Sequence, residues 1–274
     1  MAAAAKVKIW AAAAFAAVML GSAGAQAAQC GNDASGFPAW LEQFKGEAQS
    51  QGISASTLNR ALGNVSYDRK VISLDRNQKS FKLSLNEFMA RRAPASYVKR
   101  AKGVMRQNAA LLQRIEQRYG VQPEVLMAIW GMETGFGANS GNMNIFRSLA
   151  TLSYDCRRSD FFTEELLAAL QIVQRGDKTP EQMKGAWAGE IGQTQFLAKN
   201  YLRYAVDFDG DGRRDLISSK ADVLASTANF LAQHGWQPGA GYEQGQPNYR
   251  VFADWNRATV YQQALALFAS QIAN

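Results

Sequence analysis

Apolar residues recur at helical spacing along most of the chain, which predicts a mainly α-helical protein. The pattern is helical almost throughout from Phe37 to Tyr119, with Ser54 as the N-cap of one helix. Strand-like alternation is rare, and residues 249–252 are the best candidate for a short strand. We find no internal repeat and no obvious linker, so the helices are expected to form one body. The later predicted helices cover residues 108–119, 161–173, 221–234 and 256–272.

One of the apolar helices ends in an acid, Glu133, within the segment AIWGMETGFG (128–137). Pro123 suits the first position of this helix and Gly135 suits the residue just past its end. Glu133 would then lie in the last turn, where the helix dipole disfavours a carboxylate anion, and burial among aromatic neighbours would also raise its pKa. A carboxyl group that keeps its proton is what a general acid for glycosidic cleavage requires. The alternative is a helix-end glutamate that points into water.

The first 27 residues have the organisation of a secretory signal peptide. Lys6 and Lys8 precede an apolar run over residues 9–20, and small residues lead to a predicted cleavage site after Ala27. The run is too short for a comfortable transmembrane span, and no later segment is long and uncharged enough to be one. We therefore expect an exported, periplasmic protein with no transmembrane segment.

The charge of the chain bears on its ligand. Loss of the predicted signal peptide removes two lysines and no acids, which lowers the formal net charge from +7 to +5. A modest positive charge favours approach to anionic polymers. The basic residues are scattered rather than clustered, and the chain is predicted to be exported, so nucleic acid is disfavoured. An acidic polymer of the cell envelope fits both observations.

Cys30 and Cys156 are the two cysteines of the chain. In an exported protein such a pair predicts a disulfide rather than a metal site. It would tie the start of the mature chain to its middle. Lipidation of Cys30 is the alternative, and it is disfavoured because residues 27–29 lack the usual branched apolar position and the small residue next to the cysteine.

A second candidate segment is GAWAGEIGQTQF, residues 185–196. It places three glycines around Trp187 and close to Gln193 and Gln195. Glycine lets the main chain approach a ligand closely, and side-chain amides can hydrogen-bond to it. The segment therefore predicts ligand binding, although a tight crossing of two helices would also explain the glycines.

Residues 207–215 match most of the calcium loop of an EF-hand. Gly212 stands at position six, while position twelve is Ser218 instead of glutamate, with Asp222 as a candidate substitute. The alternative is an Asp-Gly turn without metal. A bound calcium ion would brace the loop rather than activate water, because the ligands would saturate it. The candidate ligands are Asp207, Asp209, Asp211, the carbonyl of Arg213, and Asp215.

Near the end of the chain, Trp255 and Asn256 precede Tyr261. Aromatic rings beside polar groups are the usual platform for sugars, and they are equally ordinary core residues. His234, the one histidine, directly precedes Gly235 and is interpreted as a helix C-cap. Zinc-site spacings, a nucleophile elbow and a phosphate-binding loop are absent from the sequence.

Taken together, these motifs resemble those of the lytic transglycosylase B family, the soluble and membrane-bound enzymes that cleave bacterial murein. The resemblance extends over nearly the whole mature chain. It implies a lysozyme-like catalytic domain over residues 28–274, in which a helical lobe (37–119) precedes a core (120–274) with a saccharide groove. The motifs occur in the order AIWGMETGFG, RSLATLSYD, Arg157-Arg158, Phe161-Phe162, GAWAGEIGQTQF, VDFDGDGRRDL, ANFLAQHGW and WNRATVY.

The resemblance also implies a reaction without water. The β-1,4 bond between N-acetylmuramic acid (MurNAc) and N-acetylglucosamine (GlcNAc) would be cut, while the muramyl 6-hydroxyl closes a 1,6-anhydro ring. Glu133 matches the catalytic acid, which would protonate the leaving oxygen and then accept the proton of the 6-hydroxyl. This scheme explains why no second carboxylate is obviously paired with Glu133, as ordinary glycosidases require. It needs no cofactor.

Gln195 and Tyr261 match sugar-contacting residues of the family, and Trp187, Asn256 and Gln193 complete the predicted substrate-binding set. Ala186 departs from the family, whose members usually carry serine there. The Asp207–Asp215 loop matches the family's calcium loop. We expect a monomer that binds peptidoglycan strands.

Two other functions are compatible with the sequence. A lysozyme-like hydrolase would use Glu133 with a second carboxylate such as Glu190, and it would leave a reducing muramic acid end. A non-catalytic peptidoglycan-binding protein would keep the groove without the chemistry. The presence of Glu133, Gln195 and Tyr261 argues against the latter.

Overall fold

The computed structural model describes residues 29–78 and 83–274, and in them it confirms the mainly α prediction. Two two-residue strands, β1 (Met143–Asn144) and β2 (Lys184–Gly185), pair antiparallel. The helices are α1 (Phe37–Ser50), α2 (Ala55–Leu62), α3 (Arg69–Arg76), α4 (Leu85–Arg92), α5 (Ala95–Gln107), α6 (Ala109–Tyr119), α7 (Pro123–Thr134), α8 (Ile145–Tyr154), α9 (Ser159–Arg175), α10 (Ala198–Tyr204), α11 (Lys220–Gln233), α12 (Phe252–Trp255) and α13 (Thr259–Ala273).

Local sequence signals set several helix ends where the pattern placed them. Ser54 caps α2 by accepting a hydrogen bond from the Thr57 N–H. Gly120 follows α6 in the left-handed conformation that lacks a steric cost for glycine. His234 is the residue just past α11, as predicted. These ends follow from local hydrogen bonds and backbone freedom, which is why the sequence predicts them.

The helix α7 lies at the centre of the molecule. All but three of its residues are buried, so it is apolar on every side rather than on one stripe. It contacts α4, α5, α6, α11 and α13, which surround it. Its C-terminal end, where Glu133 lies, is therefore held by neighbours on several sides.

The N-terminal helices are tied to the α8–α9 pair by covalent and ionic links. The predicted disulfide between Cys30 and Cys156 is confirmed, with Cα atoms 5.0 Å apart. Asp75 of α3 is buried and accepts hydrogen bonds from Arg76 and Arg158. Arg76 also pairs with buried Asp155 at 2.7 Å. Such a network is costly to break because removal of one carboxylate leaves its partners' charges uncompensated.

The predicted strand at residues 249–252 is wrong. A 3-10 turn, Pro247–Val251, occupies this position and leads directly into α12. Pro247 fixes φ and lacks an N–H donor, which suits the first turn of a helix better than a sheet. Tyr249 and Phe252 are three residues apart, which is a helical spacing, and their rings pack edge-on against each other.

The predicted signal peptide, residues 1–27, lies outside the described residues. Within the ranges 29–78 and 83–274, we find no helix that is both long enough and apolar enough to cross a membrane.

Candidate active site

A groove of about 460 Å³ opens beside the C-terminal end of α7. Its walls come from Gln78 just after α3, from α4, from the 185–196 segment, and from helices α10 to α13. Glu133 and Met132 are contributed by α7 itself. The groove is also lined by Gln78, Phe88, Arg92, Asn139, Ala186, Trp187, Glu190, Gln195, Asn200, Phe230, Trp255, Asn256 and Tyr261.

Glu133 reaches the groove because of how α7 begins and ends. Pro123 is the first residue of the helix, and Gly135 terminates it at φ 61°, as the sequence predicts. The Glu133 side chain is half-buried. Its Oε1 accepts a hydrogen bond of 2.5 Å from the Tyr261 hydroxyl and one of 3.3 Å from the Trp255 indole N–H. The carboxyl group is therefore fixed in orientation at the groove surface.

Burial is the main influence on this carboxyl group, and it raises the pKa of Glu133. The hydrogen bonds from Tyr261 and Trp255 and the positive charge of Arg92 act in the opposite direction, while the nearby charge of Glu190 adds to the increase. The net result is a carboxyl group that holds its proton to higher pH than an exposed glutamate. That property suits a general acid.

The Tyr261 hydroxyl is held in its protonated form and donates a hydrogen bond to Glu133. Burial and the adjacent Glu133 raise the pKa of Tyr261 well above its ordinary value, so its hydroxyl stays protonated. The Trp255 indole N–H also donates to the Tyr261 oxygen, at 3.2 Å. The Phe88 ring packs edge-on against Tyr261, and the Phe230 ring packs edge-on against Trp255. The side chains of Tyr261 and Trp255, the two hydrogen-bond donors to Glu133, are thus each held in place by a neighbouring aromatic ring.

Gln195, predicted to bind substrate, lines the groove in a strained conformation. Its φ is +56°, which is uncommon for a residue other than glycine. Its Nε2 donates to the carbonyls of Gly192 (2.8 Å) and Ser140 (3.3 Å). Its Oε1 has no hydrogen bond within the described parts of the chain and is left as an acceptor for a ligand.

Gln193, also predicted to bind substrate, does not line the groove. It is buried, with its Oε1 accepting from the Trp130 indole N–H at 3.0 Å and its Nε2 donating to the Ile217 carbonyl at 2.9 Å. Its main-chain carbonyl accepts from Thr134 Oγ1 at 2.6 Å. The oxygen and the nitrogen of the side-chain amide are therefore both hydrogen-bonded within the protein, and Gln193 links the end of α7 to the 185–196 segment.

Trp187 and Asn256, the remaining predicted substrate-binding residues, both line the groove and are half-buried. Asn256 Oδ1 accepts from the Ala258 N–H at 3.0 Å, which starts the turn into α13. Trp187 lies in a turn between β2 and α10, so the glycines around it serve a turn and not a crossing of helices.

The sequence did not predict the position of several groove residues. Arg92 and Phe88 come from α4, some forty residues before Glu133, where no motif marks them. Asn139 and Asn200 are polar residues next to recognised motifs, and only their position relative to the groove distinguishes them. Trp255 was recognised as an aromatic beside a polar residue, but its hydrogen bond to Glu133 could not be inferred from spacing.

The predicted calcium loop, residues 207–215, is called the acidic loop, and it brings three of its predicted ligands together. One carboxylate oxygen from each of Asp207, Asp209 and Asp211 lies within 4.8 Å of the others. Asp215 is turned away, since its carboxylate pairs with Lys178 at 2.6 Å and accepts the N–H groups of residues 217 and 218. Hard oxygen donors in this arrangement fit calcium.

Asp222 does not supply the missing oxygen at position twelve. It is fully buried behind the loop, and its carboxylate accepts main-chain N–H groups from Phe208 (2.8 Å) and Asp215 (2.7 Å). It therefore supports the loop from inside. Ser219 reaches the loop instead, with its hydroxyl donating to Asp209 at 2.6 Å.

Residues 36–246 match the model of the family described as the transglycosylase SLT domain. The chain belongs to this family. The transglycosylase SLT domain thus spans α1 to α11 and the segment that follows, and it contains Glu133, Gln195 and the acidic loop. The resemblance inferred from the motifs is confirmed.

Relatives of this SLT-domain protein agree in sequence and in fold. A membrane-bound lytic murein transglycosylase B of Escherichia coli strain K12 is 40% identical over 129 residues, which cover 47% of this chain and 36% of the length of that protein. SltB3 from Pseudomonas aeruginosa, solved in complex with NAG-NAM-pentapeptide, is 32% identical with a TM-score of 0.83, covering 87% of this chain and 80% of that one.

The E. coli lytic transglycosylase Slt35, solved in complex with calcium, is 25% identical with a TM-score of 0.76 and covers 90% of this chain and 96% of that one. The helical fold described above, with few short strands, is therefore the fold of the lytic transglycosylases, as the sequence implied.

Proposed function

We propose that the protein is a lytic transglycosylase that cleaves the MurNAc-β-1,4-GlcNAc bond of peptidoglycan and leaves a 1,6-anhydro-MurNAc end, with Glu133 acting first as acid and then as base. The observation that carries the proposal is the half-buried Glu133 carboxyl group, held by Tyr261 and Trp255 in a groove of a transglycosylase SLT domain. SltB3, the P. aeruginosa relative, has been solved with NAG-anhNAM-pentapeptide as well as NAG-NAM-pentapeptide, which supports this substrate and this kind of product.

The acid step follows from the raised pKa of Glu133. A protonated carboxyl group beside the glycosidic oxygen donates its proton as the bond to the anomeric carbon breaks. The positive charge that develops at that carbon is stabilised by the sugar's own 2-acetamido group. Burial raises the pKa of Glu133, so the carboxyl group keeps its proton to higher pH than an exposed glutamate.

The base step follows from the two donors. Once Glu133 has lost its proton, the hydrogen bonds from Tyr261 and Trp255 and the charge of Arg92 stabilise the carboxylate. The carboxylate then accepts the proton of the muramyl 6-hydroxyl, whose oxygen attacks the anomeric carbon. Intramolecular attack has a large advantage in effective concentration over water. Glu133 is returned to its protonated form.

The remaining groove residues are proposed to bind the glycan. Gln195 presents a free amide oxygen, Trp187 presents an aromatic side chain, and Asn256 lines the groove, while buried Tyr261 holds Glu133 through its hydroxyl. Phe88 and Arg92 come from α4 and Gln78 from the segment after α3, so the groove needs both the proposed lobe (37–119) and the core (120–274). No part of this scheme calls for a cofactor.

We further propose that the protein acts in the periplasm. Its Cys30–Cys156 disulfide is typical of oxidising compartments, and its N-terminal sequence has the pattern predicted for a signal peptide. An exported protein meets peptidoglycan there. We expect it to work as a monomer, since one chain supplies every group named above.

The acidic loop is proposed to hold one calcium ion through Asp207, Asp209, Asp211 and the Arg213 carbonyl, with Asp215 turned toward Lys178. Slt35, a relative solved with calcium, supports this assignment. The ion would brace the segment between α10 and α11 and takes no part in the reaction. The loop lies directly before α11, which carries Phe230 into the groove.

Calcium is expected to raise the unfolding temperature of chelator-treated protein, because an ion that binds only the folded state stabilises it. At a calcium concentration about a hundredfold above Kd, the increase should be about 5–10 °C. Asp211→Asn should reduce the increase, whereas Asp160→Asn, an exposed change outside the loop, should not. A calorimetric scan that shows no response to calcium would refute the metal assignment.

The proposed function is tested by incubating the purified protein with insoluble peptidoglycan and identifying the released fragments by mass spectrometry. We expect soluble disaccharide-peptide fragments that end in 1,6-anhydro-MurNAc. Reducing MurNAc ends would favour a lysozyme-like hydrolase, and no release above a protein-free control would favour a binding protein.

A further inference from the structure

Glu190 is a second carboxyl group in the groove, and the proposed reaction gives it no role. It lies in the turn between β2 and α10, where the Ala186 N–H donates to the Glu190 carbonyl at 3.0 Å. Its side-chain Oε2 accepts the Ala188 N–H at 3.1 Å. The main chain of the turn therefore fixes the direction of this carboxyl group.

Glu190 forms no ion pair with any residue that the structure describes. None of the ion pairs within residues 29–78 and 83–274 includes it. Burial raises the pKa of Glu190, against the effect of the main-chain N–H groups of Glu190 and Ala188 and of the more distant Arg158. A carboxyl group offers about four acceptor positions, and these contacts use only part of them. The Glu190 carboxyl group is thus partly buried in the groove and still has acceptor positions for hydrogen bonds from a ligand.

The same turn also contributes an aromatic side chain to the groove. Trp187 is half-buried, packs against the hydrophobic core and lines the groove three residues before Glu190. Ala186 lines it as well and adds only a methyl group, so Glu190 is the polar side chain that the turn offers. An aromatic ring and a fixed acceptor from one turn of the groove wall suit an amino sugar, which has an apolar face and a rim of O–H and N–H donors.

We propose that Trp187 and Glu190 form a saccharide subsite in which the Glu190 carboxyl group accepts a hydrogen bond from a hydroxyl or acetamido N–H of an N-acetylated amino sugar. The inference rests on the proposed function for the identity of the polymer. Glu190 serves here as a binding residue, and proton transfer stays with Glu133. The subsite distinguishes this chain from a hydrolase in which Glu190 would be the second catalytic carboxylate.

Binding is measured first without turnover, in the Glu133→Gln background, by titration calorimetry. The probes are NAG-NAM-pentapeptide and an N-acetylglucosamine tetramer. Adding Glu190→Ala should weaken binding of the disaccharide-peptide about tenfold, the effect of losing one hydrogen bond to a partly buried carboxyl group. Adding Glu181→Gln, an exposed change in the preceding 3-10 turn, should leave Kd unchanged.

Glu190→Gln is the second variant, since it keeps an oxygen for the Ala188 N–H and so preserves the turn if Glu190→Ala does not fold. It should weaken binding about threefold or more, because an amide group offers one acceptor oxygen where the carboxyl group offers two. Unchanged Kd in every variant that folds, checked by thermal unfolding, would overturn the subsite. A loss seen with the tetramer as well would assign Glu190 to a GlcNAc unit, and a loss confined to the disaccharide-peptide would assign it to the MurNAc side; both support the inference.

Kinetics then separate binding from chemistry. In otherwise wild-type protein, Glu190→Ala should raise KM about tenfold and change kcat little. A fall in kcat of about a hundredfold or more with unchanged glycan binding would overturn the inference and identify a catalytic carboxylate. The two proposals fail separately: if wild-type protein releases no fragments but Glu190→Ala still weakens glycan binding, the cleavage proposal is wrong and the subsite stands.

Discussion

Replacing Glu133 with glutamine is expected to lower the rate of peptidoglycan cleavage by about 10³- to 10⁴-fold, the upper range for loss of a general acid–base group. Glutamine keeps the shape of the side chain and an oxygen that can accept from Tyr261 and Trp255. It cannot release a proton to the leaving oxygen or take one from the 6-hydroxyl. The acid step and the base step of the proposed reaction are therefore both lost when one carboxyl oxygen is replaced by an amide nitrogen. Release of soluble fragments, followed over time, measures the effect.

The matched control is Glu124→Gln, the same chemical change in the first turn of the same helix. Glu124 lies away from the groove and accepts a hydrogen bond from the Tyr242 hydroxyl at 3.2 Å, which glutamine can also accept. We expect near-normal activity for this variant. Glu133→Gln should unfold at the wild-type temperature and still bind NAG-NAM-pentapeptide. Wild-type activity in Glu133→Gln would show that this carboxyl group is not the catalytic acid.

Replacing both Cys30 and Cys156 with serine is expected to lower the free energy of unfolding by about 2–4 kcal/mol. The bond spans 126 positions of sequence, so its loss frees a long loop in the unfolded chain. For a protein of this size, the unfolding temperature should fall by about 5–15 °C. Activity at low temperature should persist, because neither cysteine lines the groove. Differential scanning calorimetry gives the unfolding temperature directly.

The control for this variant is wild-type protein reduced with dithiothreitol, which should lose about the same stability. Other links between the same segments stay in place in both samples, including the Gly31 N–H to Tyr154 carbonyl hydrogen bond and the Arg76–Asp155 ion pair. They should keep the folded structure intact at low temperature. Equal unfolding temperatures for the oxidised and reduced wild type would mean that the disulfide contributes nothing to stability.

The position of Glu133 at the end of α7 follows from local signals in the sequence, whereas the orientation of its carboxyl group depends on the distant Tyr261 and Trp255. Pro123 and Gly135 define the ends of α7, and the apolar spacing between them requires a buried helix. The same holds for Tyr261, which lies in the first turn of α13 after a recognisable motif. Where a residue's position depends on its own helix, pattern and capping suffice.

Positions that depend on distant segments could not be predicted. Arg92 and Phe88 enter the groove because α4 packs on α7 and α13, which nothing in their own neighbourhood indicates. Gln193 was expected to bind substrate, but the Trp130 indole and the Ile217 carbonyl, both far away in sequence, hold its amide group. Asp222 is a candidate substitute ligand from the sequence, but its carboxylate accepts main-chain N–H groups of Phe208 and Asp215 behind the loop.

The central claim is that the muramyl hydroxyl, and not water, attacks the anomeric carbon while Glu133 exchanges protons with both oxygens. Digestion of purified peptidoglycan in ¹⁸O-labelled water, followed by mass spectrometry of the new muramyl ends, tests it most directly. The proposed reaction predicts ends that carry no label and are lighter by one water molecule than a reducing MurNAc end. Reducing ends that carry ¹⁸O would show that water is the nucleophile and would contradict the account.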